Sequence, residues 1–355
     1  MAYSTIINPG DYFDTKLYTG TGSSNAQTGL GFQPDFVWIK NRTDTSNHRA
    51  FDAVRGANKR IIPNNNSAET TTTQELMSFN SNGFTVGTEQ DVNGSGQNFV
   101  SWNWKANGQG SSNTDGSINT TYTSANTTSG FSIVKWNGSA GNATIGHGLG
   151  IAPELVFYKL LTTSGYYTYA KHALGSNGAR GKVVVGFLEN TAAFTNDTGS
   201  FQSTDPSSTL LYIGGGANQS GANIAYCFSS IKGFSKMGSY VGNANADGAF
   251  VYTGFKPAWI MIKRTSVAGD NWLMFDNKRQ GYNGGSGSTE GNLNLTADQT
   301  AAEGNSSLIN IVSNGFKMIT SDAKINASGS TYIYAAFAET PFVSNVGESL
   351  PTTAR

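Results

Sequence analysis

The chain has 355 residues, enough for two or three domains that each bury a core of their own. Lys plus Arg and Asp plus Glu balance at 23 each, so no net field draws it toward nucleic acid or an anionic membrane. Only 13% of residues are charged and 44 are Gly, while Ser, Thr and Asn supply the polarity, a profile that disfavours a helical protein and suits an all-β chain with many turns.

The opening, "MAYSTIINPGDYF", lacks the charged and apolar regions of a signal peptide, and no apolar stretch approaches the ~20 residues of a membrane span. Synthesis in a cytoplasm, without membrane insertion, is the expectation. Tyr18 then opens a Gly-rich loop, and "GFQPDFVWIK" (Gly31 to Lys40) follows. Its Gly-aromatic-x-Pro start is turn chemistry, because Pro fixes φ and biases the preceding residue toward extended geometry. Phe36 to Ile39 is a short aromatic and β-branched run, predicted as a strand buried on both faces. "AFDAVRG" (Ala50 to Gly56) comes next, then "SNGF" (Ser81 to Phe84), whose Asn-Gly predicts a type I′ hairpin turn. "NFVSWNWKA" (Asn98 to Ala106) reads as a closing strand.

"NGQGSSNTDGSINTTYTSANTTSG" (Asn107 to Gly130) has no hydrophobic pattern and predicts a flexible or surface-draped linker. The same order of landmarks then returns twice. Trp136 and Tyr240 stand in the place of Tyr18, and "GIAPELVFYK" (Gly150 to Lys159) and "GFKPAWIMIK" (Gly254 to Lys263) repeat the central phrase. "MFDNKRQG" (Met274 to Gly281) echoes the first Phe-Asp-x-x-Arg, whereas the middle copy has "YAKHALG" (Tyr169 to Gly175). "SNGF" recurs at Ser313 to Phe316, and the closing strands are "NIAYCFSS" (Asn223 to Ser230) and "YIYAAFAE" (Tyr332 to Glu339). The expected organisation is three tandem β-sandwich repeats of about 105 residues. They cover residues 1–108 with a short N-terminal segment, 130–235 and 236–342, with a linker at 109–129 and a tail at 343–355. The second and third abut and are expected to pack more rigidly than either does against the first.

Few residues carry chemistry. Aligning the closing strands places Val100, Trp102 and Trp104 over Ile224, Tyr226 and Phe228 and over Ile333, Ala335 and Phe337. At a side-chain period of two each trio shares one apolar face, so the tryptophans read as core and not as a sugar platform. Asp52 with Arg55, and Asp276 with Arg279, either grip a ligand hydroxyl or carboxylate or pin a loop through a charge-assisted bond. Their recurrence without a nucleophile or base favours pinning. Tyr166, Tyr167 and Tyr169 in "SGYYTY", and Tyr282 in "GYNGGSG", are candidate ligand contacts on exposed loops. His48, His147 and His172 show no metal spacing, and loops such as "DVNGSG" are too poor in carboxylates for Ca²⁺. One cysteine, Cys227, excludes an intramolecular disulfide and reads as a small buried hydrophobe. No catalytic residue, metal or cofactor is expected.

The segments "DYFDTKLYTGTG", "GFQPDFVWIKNR", "FDAVRG", "FVSWNWKA" and "YIYAAFAETPF", with the final "TAR", resemble an uncharacterised repeat family in virion genes of tailed phages, marine ones especially. Its members are described as tail-fibre-like or concanavalin-A/laminin-G-like jelly-roll proteins. The resemblance implies concanavalin-like sandwiches on a virion surface and supplies no catalytic residues to carry over, and without a catalytic constellation the expectation is a protein that is not an enzyme. The resemblance also implies other virion proteins as partners, a homo-oligomer with a trimer favoured, and contact with a host cell-surface glycan through loops. Capsid decoration is the alternative role, and a glycan depolymerase is a third.

Overall fold

A computed structural model describes residues 4–175, 183–279, 283 and 293–341. Its first third holds β1 (Phe13–Thr19), β2 (Asn25–Thr28), β3 (Phe36–Asn41), β4 (Arg49–Asp52), β5 (Lys59–Arg60), β6 (Thr70–Thr71), β7 (Leu76–Asn80), β8 (Gly83–Val86) and β9 (Asn98–Trp104). The middle holds β10 (Tyr122–Asn126), β11 (Phe131–Gly138), β12 (Ala143–Gly146), β13 (Leu155–Leu160), β14 (Tyr166–Ala170), β15 (Val184–Gly186), β16 (Thr195–Asn196), β17 (Leu210–Ile213) and β18 (Gly221–Phe228). The last third holds β19 (Ser235–Val241), β20 (Phe250–Tyr252), β21 (Phe255–Arg264), β22 (Leu273–Asp276), β23 (Leu293–Thr296), β24 (Gly304–Asn305), β25 (Ile309–Val312), β26 (Gly315–Met318) and β27 (Thr331–Pro341). The fold is all-β, and the named pairings are antiparallel.

One strand order occurs three times. The larger sheets contain β1-β9-β3-β4, β11-β18-β13-β14 and β19-β27-β21-β22, and small sheets β2-β8-β7, β12-β17 and β20-β26-β25 cover their outer faces. We call these blocks units one, two and three. The central phrase forms β3, β13 and most of β21, buried along its length on both faces. Pro257 lies within β21, at a register shift that absorbs its missing N–H. Tyr18 and Tyr240 donate to Val92 O and Ile325 O, in the one-turn helices (Gln90–Asn93 and Ala323–Asn326) before the closing strands, and Trp136 donates to Asn218 in the corresponding connection. That bond accounts for the aromatic landmark upstream of each phrase.

Two expectations need correction. The hairpins at "SNGF" turn on Ser81–Asn82 and Ser313–Asn314, because Asn80 pairs with Gly83 and Val312 with Gly315. The glycine is needed for close approach: a Cβ on Gly83 would meet Gln27 O at 1.8 Å, and one on Gly315 would meet Val251 O at 2.0 Å. The expected linker at 109–129 is ordered instead. Ser111 bridges to Thr123, and β10 forms the edge of the second unit's sheet with Thr123 and Ser124 buried. An edge strand held by its backbone ladder can be rich in Ser and Thr, so no apolar alternation announces it.

The units do not follow one another in series; they close into a ring. Each has an outer core between its two sheets, such as Val37, Ile39, Phe51 and Phe84 in unit one. The opposite faces of all three large sheets meet in one shared core. There the closing-strand residues Trp104, Phe228 and Phe337 form a triangle, with centroid separations of 6.2, 5.7 and 6.0 Å, every pair edge to face. Trp102 and Trp104 are interior, 0% and 2% exposed. The indole N–H groups of Trp104 and Trp259 meet no acceptor among the described residues. Each orphan costs about 1–3 kcal/mol, less than the about 4–6 kcal/mol gained by burying ~150–250 Å² of ring.

Because the central core belongs to all three units, calorimetry should show one unfolding transition for the chain. Phe228→Ala should lower its free energy by about 3–5 kcal/mol. Three separate transitions, with only one displaced by the substitution, would contradict the shared core.

Candidate functional site: two locked seams and an open one

Each unit reaches the next through one repeated set of bonds. From unit one to two, Glu69 N–H donates to Leu161 O (2.8 Å) and Gly165 N–H to Asn66 O (3.1 Å). From two to three, Phe194 N–H donates to Thr265 O and Gly269 N–H to Thr191 O, both at 2.9 Å. From three to one, Glu303 N–H donates to Arg42 O (2.9 Å) and Ser46 N–H to Thr300 O (3.0 Å). One further position adds a side-chain bond at each seam: Tyr166 to Ile62 O, Trp272 to Phe187 O and His48 Nε2 to Thr296 O, at 3.0, 2.9 and 3.0 Å. His48 Nδ1 accepts from Trp38 Nε1 at 2.8 Å. An indole only donates and a carbonyl only accepts, so His48 is neutral with its proton on Nε2. Burial and the nearby Lys40 push its pKa well below 6.5.

The Phe-Asp-x-x-Arg phrases lock two of the three seams. Asp52 accepts from Arg55 N–H at 2.8 Å and Arg55 Nε at 2.5 Å, and Arg55 reaches Glu69 at 3.1 Å. Asp276, Arg279 and Glu303 repeat this at 2.8, 2.6 and 3.0 Å, and Arg42 of unit one forks onto Glu303 at 3.0 and 2.7 Å. Each aspartate also accepts from the closing strand of another unit: Tyr226 donates to Asp52 at 2.7 Å, and Trp102 to Asp276 at 3.0 Å. All four motif residues, Asp52, Arg55, Asp276 and Arg279, are buried. The geometry supports loop pinning, extended across the seams, and leaves these groups no surface on which to meet a ligand.

The tyrosines expected on a loop lie on strand β14. Tyr166 and Tyr169 are buried, Tyr169 donating to Asp205 at 2.8 Å, while Tyr167 between them is half-buried. β14 is buried on both faces, Tyr166 in the shared core and Tyr169 in the outer core of unit two, despite the Gly and Ser that precede it. Tyr282 lies outside the described residues. Cys227 is buried, and burial pushes its thiol up to about 12, so it is inert. Among the described residues no three His, Cys, Asp or Glu side chains converge as a metal site would require.

One set of residues was passed over. Lys40, Lys159 and Lys263 end the three phrases and are fully buried, each donating to carbonyls of the hairpin that follows: Lys40 to Asn41 O, Lys159 to Leu160 O and Lys263 to Asp270 O. Burial lowers each to about 8, with acids near Lys40 and Lys263 pulling the other way. A lysine closing three copies of an apolar run was the signal available in the sequence.

The third seam has no lock. By strand register Ala170 occupies the place of Asp52 and Asp276, opposite Leu155 as they are opposite Phe36 and Trp259. Ala335 occupies the place of the donors Trp102 and Tyr226. Ala173 and Phe194 stand where the other units have the arginine and glutamate. Acceptor and donor have been lost together, and a narrow pocket runs between Ala170, Met237, Met261, Trp272 and Ala335. It shares Glu154, His172 and Met237 with an open cleft of about 550 Å³ bounded by Ser230, Lys236 and Tyr252. Glu154 bridges the mouth, 3.2 Å from Lys171 and 3.5 Å from His172, and accepts from Ser230. Burial opposes its charge, but His172, Ser230 and Lys171 hold it down at about 2. The carboxylate stands between hydroxyl and imidazole, an order in which the histidine does not activate the serine.

Residues 8–341 match the family described as Domain of unknown function (DUF7483), and the chain belongs to that family. No curated protein matches it.

Removing one member of a lock should be costly and removing all of them cheap. Asp52→Asn should cost about 3–5 kcal/mol in urea denaturation, because Arg55 is left buried beside a neutral group. Asp52→Ala with Arg55→Ala, Glu69→Phe and Tyr226→Phe, which removes the acceptor, the ion pair and the donor together, should recover most of that loss. Stability should also fall with acid. The unfolded chain binds a proton on His48 first, so the contribution is intact above pH 6.5 and lost below it. His147, which burial lowers to about 4, adds the same trend between those values. His48→Gln should flatten the decline of melting temperature over that range, and an unchanged slope would contradict a neutral buried imidazole at His48.

Proposed function

We propose that the chain is a non-enzymatic structural and recognition module on the surface of a tailed-phage virion, of tail-fibre or receptor-binding type, that contacts host glycans. The observation that carries this reading is the fate of the charged motifs. Asp52, Arg55, Asp276 and Arg279 are consumed in the seams, so the recurring words hold a frame together and are not repeated reaction centres. The resemblance of the phrases to virion proteins supplies the setting. The cleft at the third seam carries one carboxylate in its described walls, Glu154, whereas glycoside hydrolysis ordinarily uses a pair flanking the scissile bond.

Capsid decoration is the second reading, and the ring closure favours it. Three units around a shared core make a compact body, where serial sandwiches would make an extended one. Immunogold labelling of intact virions separates the two. Label on the tail, with purified protein competing for host adsorption, supports the first; label confined to the head moves the assignment to decoration. New reducing ends from host polysaccharide incubated with the protein would overturn both.

A further inference from the structure

We infer that the open seam between units two and three is a binding site for an acidic saccharide, a sugar bearing a carboxylate or sulfate, with its C–H face on Tyr252 and its anion on Lys236. The inference rests on the proposed glycan contact and locates it away from the loop tyrosines.

Four features peculiar to this seam converge. Ala170 and Ala335 replace the lock and line a narrow pocket that adjoins the open cleft through Glu154, His172 and Met237. Gly238 lies where the register puts Lys16 in unit one and Val134 in unit two, and a Cβ there would meet the Tyr334 hydroxyl at 2.6 Å and its ring at 2.7 Å. The backbone therefore forms a wall close against that ring.

Phe250 and Tyr252 are 49% and 47% exposed on β20, where the register of β2 has Ala26 and Thr28. The aromatic faces belong to unit three: Tyr252 lines the cleft, and both rings line an adjoining hollow of about 370 Å³ with Lys236 and His172. A pyranose ring presents an apolar C–H face that such rings cover while its hydroxyls stay wet. Amphipathic aromatics suit a ligand with one dry side and one polar edge.

The charge is also local. Lys236 stands at the register position of Asp14, a reversal of sign between units one and three. Its Nζ donates to Tyr252 O at 2.7 Å and lies 5.4 Å from the Tyr252 ring, so the ammonium is held beside the aromatic face. Lys232 lines the same cleft. Glu154 is the acidic group in these walls, and Lys171 pairs with it. The Lys236 ammonium beside the ring favours an anionic sugar over a neutral one.

Titration calorimetry on the full chain tests this with a galacturonate hexasaccharide, a sulfated hexasaccharide and a neutral glucose hexasaccharide. Binding of either acidic probe, and weaker or no binding of the neutral one, is expected. Lys236→Glu and Tyr252→Ala should each weaken that binding at least about tenfold while keeping the wild-type melting temperature, since both side chains sit at the surface. Added salt should weaken it too. Unchanged affinity in both variants, tighter binding of the neutral probe, or no heat with either acidic probe would each overturn the site. If the protein still blocks host adsorption in those cases, the broader glycan reading survives and only this site falls.

Discussion

The packing of Trp104, Phe228 and Phe337 edge to face around one centre is the constraint on which the rest of the molecule depends. Each ring comes from the closing strand of a different unit, β9 and β27 second from the edge of their sheets and β18 third. For the rings to meet, each large sheet must bury both faces, one under its small outer sheet and one against its two neighbours. That demand explains why the phrase strands are apolar along their whole length. It also explains why polar groups near the centre take hydrogen bonds from other units, as Asp52 does from Tyr226 and Asp276 from Trp102.

Much of the architecture was legible because strands write their burial into short stretches. The three phrases, the closing strands and the apolar trios all lie within ten residues or so of themselves, and period-two alternation needs no distant information. The ring closure was hidden for the opposite reason. Asp52 and Tyr226, like Trp102 and Asp276, stand 174 positions apart, and nothing local says which unit a buried aspartate will face. The register does hold a trace: Ala170 and Ala335 lose acceptor and donor together, although either alanine alone looks like an ordinary core residue.

The misplaced candidates share a cause. Tyr166, Tyr167 and Tyr169 follow Ser164-Gly165, and small residues read as loop; yet Tyr-Tyr-Thr-Tyr is a strand former, and two of its rings fill the interior. β10 is the reverse error, a polar edge strand taken for slack chain. Composition separates loops from strands poorly when strands are rich in Thr, Ser and Tyr, and hydrogen-bond pairing decides. The surface features of the third seam were illegible for a further reason. Phe250, Tyr252 and Lys236 gain meaning only when aligned by register with Ala26, Thr28 and Asp14.

A closed ring of three similar blocks with two tight joints and one loose one is not symmetric in its tolerance of change. A substitution at either tight joint strands a charge in the interior, whereas the loose joint has already shed its interlocking pairs and has alanine on both sides. Novelty can therefore accumulate along that one rim at little cost to the frame, and the alanines at 170 and 335 are what make such variation affordable.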